Sequence, residues 1–598
     1  MTELNFADRT DFDDADRGFI AALTPGVITA PDGRVVFDID AYKFLDGECP
    51  ETVNPSLWRQ SQLCAKQGLY KVAEGIYQVR ALDLSNITFV EGDAGVIVID
   101  PLISAECAAA AIGLYREHRG DKRVTGVIYT HSHGDHFGGV AGVTDGEGIP
   151  ILAPEGFMEH AVSENVYAGT AMTRRAVYMY GPNLPVGPEG SVGVGLGVVT
   201  SKGTLGLIPP TVDITHTGQE ETVDGVRMVF QLTPGTEAPS EMNFLFPDRR
   251  TLCMAENATH NLHNVLTLRG AVVRDSRIWS HYLTEAIELF DGKYDQLFAS
   301  HHWPTWGADR CRRFLTEQRD MYAYLHDQTL RMLNQGLTGA EIAELITLPP
   351  ALEAAWNTRG YYGSVSHNVK AIYQRYMGWF DGNPAHLWEH PPVATAERYV
   401  DCFGGVEAVL AHAKRYIGEG DLRFAAQLLV HAVFAEPANA EAKEALAEVY
   451  DRLGHGSENG TWRNFYLTGA KELRGGVNST PIDTGTGMAA ALSVGQLFDT
   501  VSIRVDGPRA AAESFSIDWD FTDLGTKVRT SMSNGAFVQI PDPKGDTDLK
   551  VTLTKPGLLG LLAGGQPEGV VFDGDASLLP KLVGLLDAPD PNFAIVTP

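Results

Sequence analysis

Cysteine is scarce in this 598-residue chain: Cys49, Cys64, Cys107, Cys253, Cys311 and Cys402 are its six, with no C-x-x-C pair among them. Thiols so scattered exclude a disulfide framework and a thiolate zinc site, and they read as buried, reduced side chains. Positive charge is also short, with 47 Lys and Arg against 76 Asp and Glu, a net charge of −29. Such a field repels phosphate backbones and anionic lipid, so no nucleic acid partner is expected. No run of 18 or more apolar residues occurs, and no membrane span is expected. The N-terminus, MTELNFADRTDFDDADRGF, lacks the basic n-region and apolar h-region of a secretory signal. As written the chain is therefore expected to be cytoplasmic, and periplasmic or secreted if an export signal was trimmed.

Hydrophobic residues make up 44% and charged residues 21%, a balance that folds. At about 150 residues per domain the length predicts roughly four units. Residues 1–70 are punctuated by Pro and Asp, with one helix expected over Pro55 to Gln67, and read as an arm packing on something else. From Gly75, the β-rich runs GIYQVR, ITFVEG and GVIVID, the helical ISAECAAAAIGLYREH and the strand VTGVIYT predict a sheet with helices on it. This domain runs over 71–310, with a Gly-rich loop from Gly181 to Gly206.

Residues 311–474 turn helical. Thr338 and Glu341 have capping-box spacing, and Leu422 to Leu453 has the length and inter-helix Pro of one tetratricopeptide-type unit. A lone repeat leaves a bare face, which argues for a neighbour, either the catalytic domain or a second subunit. GGVNSTPIDTGTG, 475–487, reads as a linker. Beyond it VSIRV, SFSIDWDF, TKVRTSMSNGAFVQI and DLKVTLT predict an antiparallel sheet with Leu-rich helices, an α+β domain over 475–598.

The chemistry concentrates after the strand VTGVIYT, where His131, His133, Asp135 and His136 place four potential ligands within six residues. Residues 131 and 133 project from one side of an extended segment, and 135 and 136, past a Gly turn, swing toward a second point. Two metal ions can sit side by side. Imidazole and carboxylate without thiolate suit zinc, with iron or manganese also compatible.

The motif THSHGDHFGG resembles the metallo-β-lactamase superfamily, and GTEAPSEMNF, CMAEN, HNVLTLRGA, SHHWP and RGYYGSVSHN resemble its alkylsulfatase branch. The resemblance implies an α/β fold, the αββα sandwich. An all-α dimerisation domain and an α+β sterol-carrier-like domain would follow it. It implies two Zn2+ per chain: His131, His133 and Glu237 on the first ion, Asp135, His136 and His301 on the second, and Glu256 bridging both. Glu237 stands where most of the superfamily supplies a His. His302 rivals His301, because adjacent side chains leave a strand on opposite faces, and Glu241 rivals Glu237. Arg269 matches the sulfate-binding arginine, and its planar fork suits two sulfate oxygens. Asn264 and Tyr373 are further candidates for sulfate contact. His367 is a candidate proton donor to the leaving alkoxide. Tyr178 and Tyr180, beside Arg174 and Arg175, either line the entrance or form core.

The expected reaction is hydrolysis of an alkyl sulfate of medium or long chain to alcohol and inorganic sulfate, as in detergent degradation, by a homodimer paired through the helical domain. The C-terminal domain is expected to offer apolar surface to the chain. Competing readings are a lactonase, thioesterase or phosphodiesterase on the same scaffold, and a lipid-binding scaffold with a decayed site.

Overall fold

Strands that are apolar at successive positions, rather than alternate ones, need cover on both faces. In Val96–Ile99 all four residues are buried, Val96 and Val98 in one apolar cluster and Ile97 and Ile99 in another. The computed structural model, which describes residues 4–478, 486–562 and 564–598, shows both covers. An eight-stranded sheet carries, in order, Phe19–Ala21, Gly68–Ala73, Ile76–Arg80, Ile87–Glu91, Val96–Ile99, Val124–Ile128, Ile151–Pro154 and Val212–Ile214. A six-stranded sheet runs from Glu220–Val223 to Thr305–Trp306. Ile76, Val90, Ile97 and Ile128 of the first face Phe230, Met242, Phe244 and Phe246 of the second in a shared core.

The helix Ala105–Arg119 lays Ala108, Ala111, Ile112 and Tyr115 on the outer face of the larger sheet. Ser276–Phe290 and Ala308–Leu333 cover the smaller one with Trp279, Leu283, Leu315 and Leu325. Helix, sheet, sheet, helix is the αββα sandwich. The first 70 residues close against it: Phe19–Ala21 pairs with Gly68–Ala73 as the sheet edge, and Pro55–Cys64 buries Leu57 and Trp58 in the core.

The glycines of the HSHGDHFGG loop have a packing reason. A Cβ on Gly138 would lie 2.3 Å from the Ile103 carbonyl oxygen, and one on Gly139 would lie 2.2 Å from that of Pro101. Only glycine lets the loop dock this closely on the segment that follows Val96–Ile99.

In the helical block the capping box of Thr338 and Glu341 is formed. The repeat-like pair is Leu422–Ala435 and Ala440–Gly456. Its apolar face is covered within the chain by Pro392–Phe403, Val406–Glu419 and Gly460–Gly475, which share one cluster with it. The inference of a second subunit from a bare repeat face therefore lapses.

The chain divides into two compact units, the smaller holding 161–171 and 483–591. By itself the smaller unit is a five-stranded sheet, with Phe515–Phe521 central, and the helices Val494–Ser502, Lys555–Leu562 and Leu578–Gly584. Two expectations are corrected here. VSIRV is not a strand: it begins in the last turn of Val494–Ser502, where a Ser493 and Gln496 capping box and the helical spacing of Val494, Leu497, Phe498 and Val501 outweigh its β-branched residues. The sheet is also mixed, because Phe515–Phe521 and Leu549–Leu553 run parallel. Of the expected linker, 479–485 lie outside the described residues. Residues 592–598 belong to the larger unit, where Val596 packs in the helical cluster. Among the described residues, no helix is long and apolar enough to cross a membrane.

Gly139→Ala is expected to destabilise the larger unit by about 1–3 kcal/mol, the cost of forcing a methyl into backbone contact. Denaturant unfolding checks this, and an unchanged midpoint refutes it.

Candidate metal centre

Donors from four separate stretches converge at one end of the sandwich. His131 Nε2 lies 3.4 Å from Glu237 Oε2 and 3.2 Å from Glu256 Oε2, and His133 Nδ1 lies 2.8 Å from Glu237 Oε2. His136 Nε2 is 3.1 Å from Asp135 Oδ2 and 3.2 Å from Glu256 Oε2. His301 Nε2 is 3.5 and 3.2 Å from the same two oxygens. Two donor groups result, His131, His133, Glu237 and Glu256, then Asp135, His136, Glu256 and His301, with all ligand atoms of each group within 4.8 Å of one another. Two ligands of one tetrahedral zinc stand about 3.4 Å apart, close to these spacings.

The far side of each ring explains its orientation. Thr130 Oγ1 donates to Asp100 Oδ2 at 2.7 Å and so accepts from His131 Nδ1 at 2.9 Å. His136 Nδ1 donates to Asp100 Oδ2 at 3.0 Å, and His301 Nδ1 to the Leu84 carbonyl at 3.2 Å. With Nδ1 engaged outward, each ring turns Nε2 toward the cluster, where a cation would take the place of its proton. These three Nε2 atoms and Glu237 Oε2 are buried without a hydrogen-bond partner. The backbone beside the ligands is strained, with positive φ at Asp100 (52°), Ala255 (48°) and His302 (63°).

Charge shows what the pocket requires. Burial pushes each carboxyl upward, yet the facing imidazoles hold Asp135 and Glu256 well below the usual carboxylate range. Glu237 is brought down to about 2, chiefly by Arg274, whose guanidinium sits 2.5 Å from Glu237 Oε1. Against its own burial, His301 is driven up to about 9, first by Glu256. Two buried carboxylates and a partly exposed third held charged together call for cations, and unpartnered imidazole nitrogens between them fit metal ions.

The rivals fall outside the cluster. His302 turns away: its Nε2 lies 3.1 Å from Gln60 Nε2 and 3.0 Å from the Gly195 carbonyl, and its Nδ1 accepts from His260 N. Glu241 sits behind Glu256, accepting its backbone N–H at 3.1 Å, and burial and then the Glu237 charge raise it to about 8.

The loop bearing His367 reaches this site from the helical block. Gly363 N donates to the Leu262 carbonyl at 2.8 Å, and Asn368 bridges Val265 N and the His263 carbonyl. His367 is N3 of the helix Val365–Met377, capped by Ser364, and burial pushes its pKa down to about 3. At rest it is neutral, so it offers an N–H rather than the readily released proton expected of it. Asn264 accepts from Arg274 through Oδ1 and leaves Nδ2 buried and unpartnered. Half-buried Arg269 lies beside Tyr180, which hydrogen-bonds Tyr362 at 3.0 Å.

Tyr373 is not brought to the cluster: it packs against Gly339 in the outer apolar core. Nor do Tyr178 and Arg174 line an entrance, since both bind the buried Glu472. Arg175 donates to the Leu268 carbonyl.

Sequence reasoning passed over Asp100, Arg274 and His263, the last donating to Glu256 Oε1 at 2.9 Å. Only Asp100, polar at the end of the apolar strand GVIVID, carried a local signal.

Comparison with known proteins covers the whole chain. The metallo-beta-lactamase superfamily matches residues 80–301, alkyl sulfatase dimerisation 338–476 and alkyl sulfatase C-terminal 483–598. A linear primary-alkylsulfatase of Pseudomonas sp is 47% identical, over 100% of this chain and 91% of its own. An (R)-specific secondary-alkylsulfatase of Pseudomonas sp is 44% identical, over 100% and 92%. The solved structure of a stereoselective inverting sec-alkylsulfatase from Pseudomonas sp. superposes with a TM-score of 0.97 at 43% identity, over 100% of this chain and 96% of that one.

Arg274→Met is expected to strand Glu237 as an unpaired buried charge, at a cost of about 3–5 kcal/mol. Its pKa then rises from about 2, so acid loss of bound metal moves to higher pH. Metal content after dialysis at stepped pH measures this, and an unshifted release curve contradicts it.

Proposed function

Since the chain belongs to the alkylsulfatases, sulfuric ester hydrolases on the metallo-beta-lactamase fold, we propose that it hydrolyses alkyl sulfates of medium or long chain to alcohol and inorganic sulfate with two zinc ions. Glu256 carries this reading. Its Oε2 stands 3.2 Å from the Nε2 of His131, His136 and His301 alike, the position of a carboxylate shared by two cations. His131, His133 and Glu237 would complete one ion's shell, and Asp135, His136 and His301 the other's. Bound there, paired zinc ions supply a water of lowered pKa and a clamp for an anionic ester.

The chain's own residues do the rest. In a protein of net charge −29, an anionic substrate needs local positive charge, which Arg269, close to Tyr180, would provide. Asn264 Nδ2, buried without a partner, is a donor for a sulfate oxygen. The N–H of neutral His367 is a donor for the ester's bridging oxygen, where charge grows as the bond breaks. A homodimer through 338–476 is supported by the apolar side chains this segment exposes, Trp388 at 96% and Trp379 at 75% above all.

The test is sulfate release from dodecyl sulfate with and without a chelator, beside lactone and phosphodiester substrates and metal analysis. Expected are two zinc ions per chain, release abolished by chelation and restored by zinc, and little turnover of the other esters. Chelator-resistant release, or preference for a lactone or phosphodiester, rejects the reading.

A further inference from the structure

Trp462 stands in the first turn of the helix Gly460–Gly475, its backbone N–H capped by the Asn459 side chain. The same Asn459 donates through Nδ2 to the carbonyls of Gly360 and Gly363. The start of this helix is thereby tied to the turn that leads into His367. Gly460 completes the dock, because a Cβ there would lie 2.7 Å from the Val194 carbonyl carbon. In this frame the indole Nε1 lies 2.9 Å from His367 Nδ1.

An indole N–H only donates. His367 Nδ1 must therefore present its lone pair, which leaves the proton of the neutral ring on Nε2. Ser364 Oγ, 3.1 Å from the same Nδ1, does not make that choice, since a hydroxyl both donates and accepts. His367 Nε2 is buried with no hydrogen-bond partner among the described residues, a donor for an acceptor from outside them.

We propose that Trp462 is a positioning residue of the hydrolysis: by donating to Nδ1 it locks His367 as the Nε2–H tautomer and so presents an N–H, not a lone pair, to the sulfate ester. The proposal rests on the assignment of His367 to the ester. Without the indole, the alternative in which Nδ1–H donates to Ser364 Oγ opens, and Nε2 then repels an ester oxygen.

The test uses full-length, metal-loaded protein with 15N-labelled histidine. Long-range proton–nitrogen correlations are read at neutral pH, with His367 assigned by its loss in His367→Gln. The expected pattern is a neutral Nε2–H ring, which Trp462→Phe converts to a mixture of tautomers. In the same variant kcat for dodecyl sulfate is expected to fall about tenfold with KM changed by less than about twofold, the scale of one neutral hydrogen bond.

An Nδ1–H or doubly protonated ring in the unaltered protein overturns the lock. An unchanged kcat in Trp462→Phe, or a loss carried by KM alone, overturns its catalytic sense. His367→Gln separates the premise from the proposal. If that variant keeps full turnover, His367 does not serve the ester and the positioning role falls with it, whereas the spectrum decides the tautomer either way.

Discussion

Three ionised carboxylates, Glu237 and Glu256 buried and Asp135 partly so, gathered with four imidazoles in one cluster form the constraint on which the rest of the structure depends. Isolated carboxyls in such a place take up protons. Here Glu241, set behind the cluster, is the one raised toward the neutral form, and Asp135, Glu237 and Glu256 are held charged. That division separates a support from three candidate ligands. It also makes cations a natural completion of the site, since they offset the charge of the carboxylates without displacing the rings.

Keeping like charges together requires rigid backing. Asp100 serves twice, accepting from His136 directly and from Thr130, which accepts in turn from His131. Arg274 and His263 grip the outer oxygens of Glu237 and Glu256. The positive φ angles at Asp100, Ala255 and His302 cost about 1–3 kcal/mol each, and the shared core of the two sheets offsets them. The same economy extends into the helical block, where Gly363 and Asn368 fasten its turn onto the segment 262–265 and Asn459 ties that turn to the next helix. The candidate site is thus tied to a helical block that a sandwich alone does not possess.

Legibility followed locality. Alternating and continuous apolar runs announced the strands of the sandwich, and the capping box of Thr338 and Glu341 announced its helix, because each signal lies within a few residues. VSIRV misled for the same reason: its β-branched residues speak for a strand, while the core that Val501 enters belongs to a helix. The cluster at 131–136 was plain from its density. Glu237, Glu256 and His301 were reachable only through resemblance, and Arg274, His263 and Trp462 had no pattern to betray them.

Residue chemistry and short-range spacing were enough to predict a sheet with helices on it, a loop rich in metal-ligating side chains and a helical block after it, since that loop and the periodicity of strands and helices are written in neighbouring residues. Only the tertiary structure brings His301 and Glu237, rather than His302 and Glu241, into the donor groups and buries His367 beside Trp462. Each depends on which partners arrive from hundreds of residues away, and burial, hydrogen-bond geometry and charge have no value for a side chain until those partners are in place.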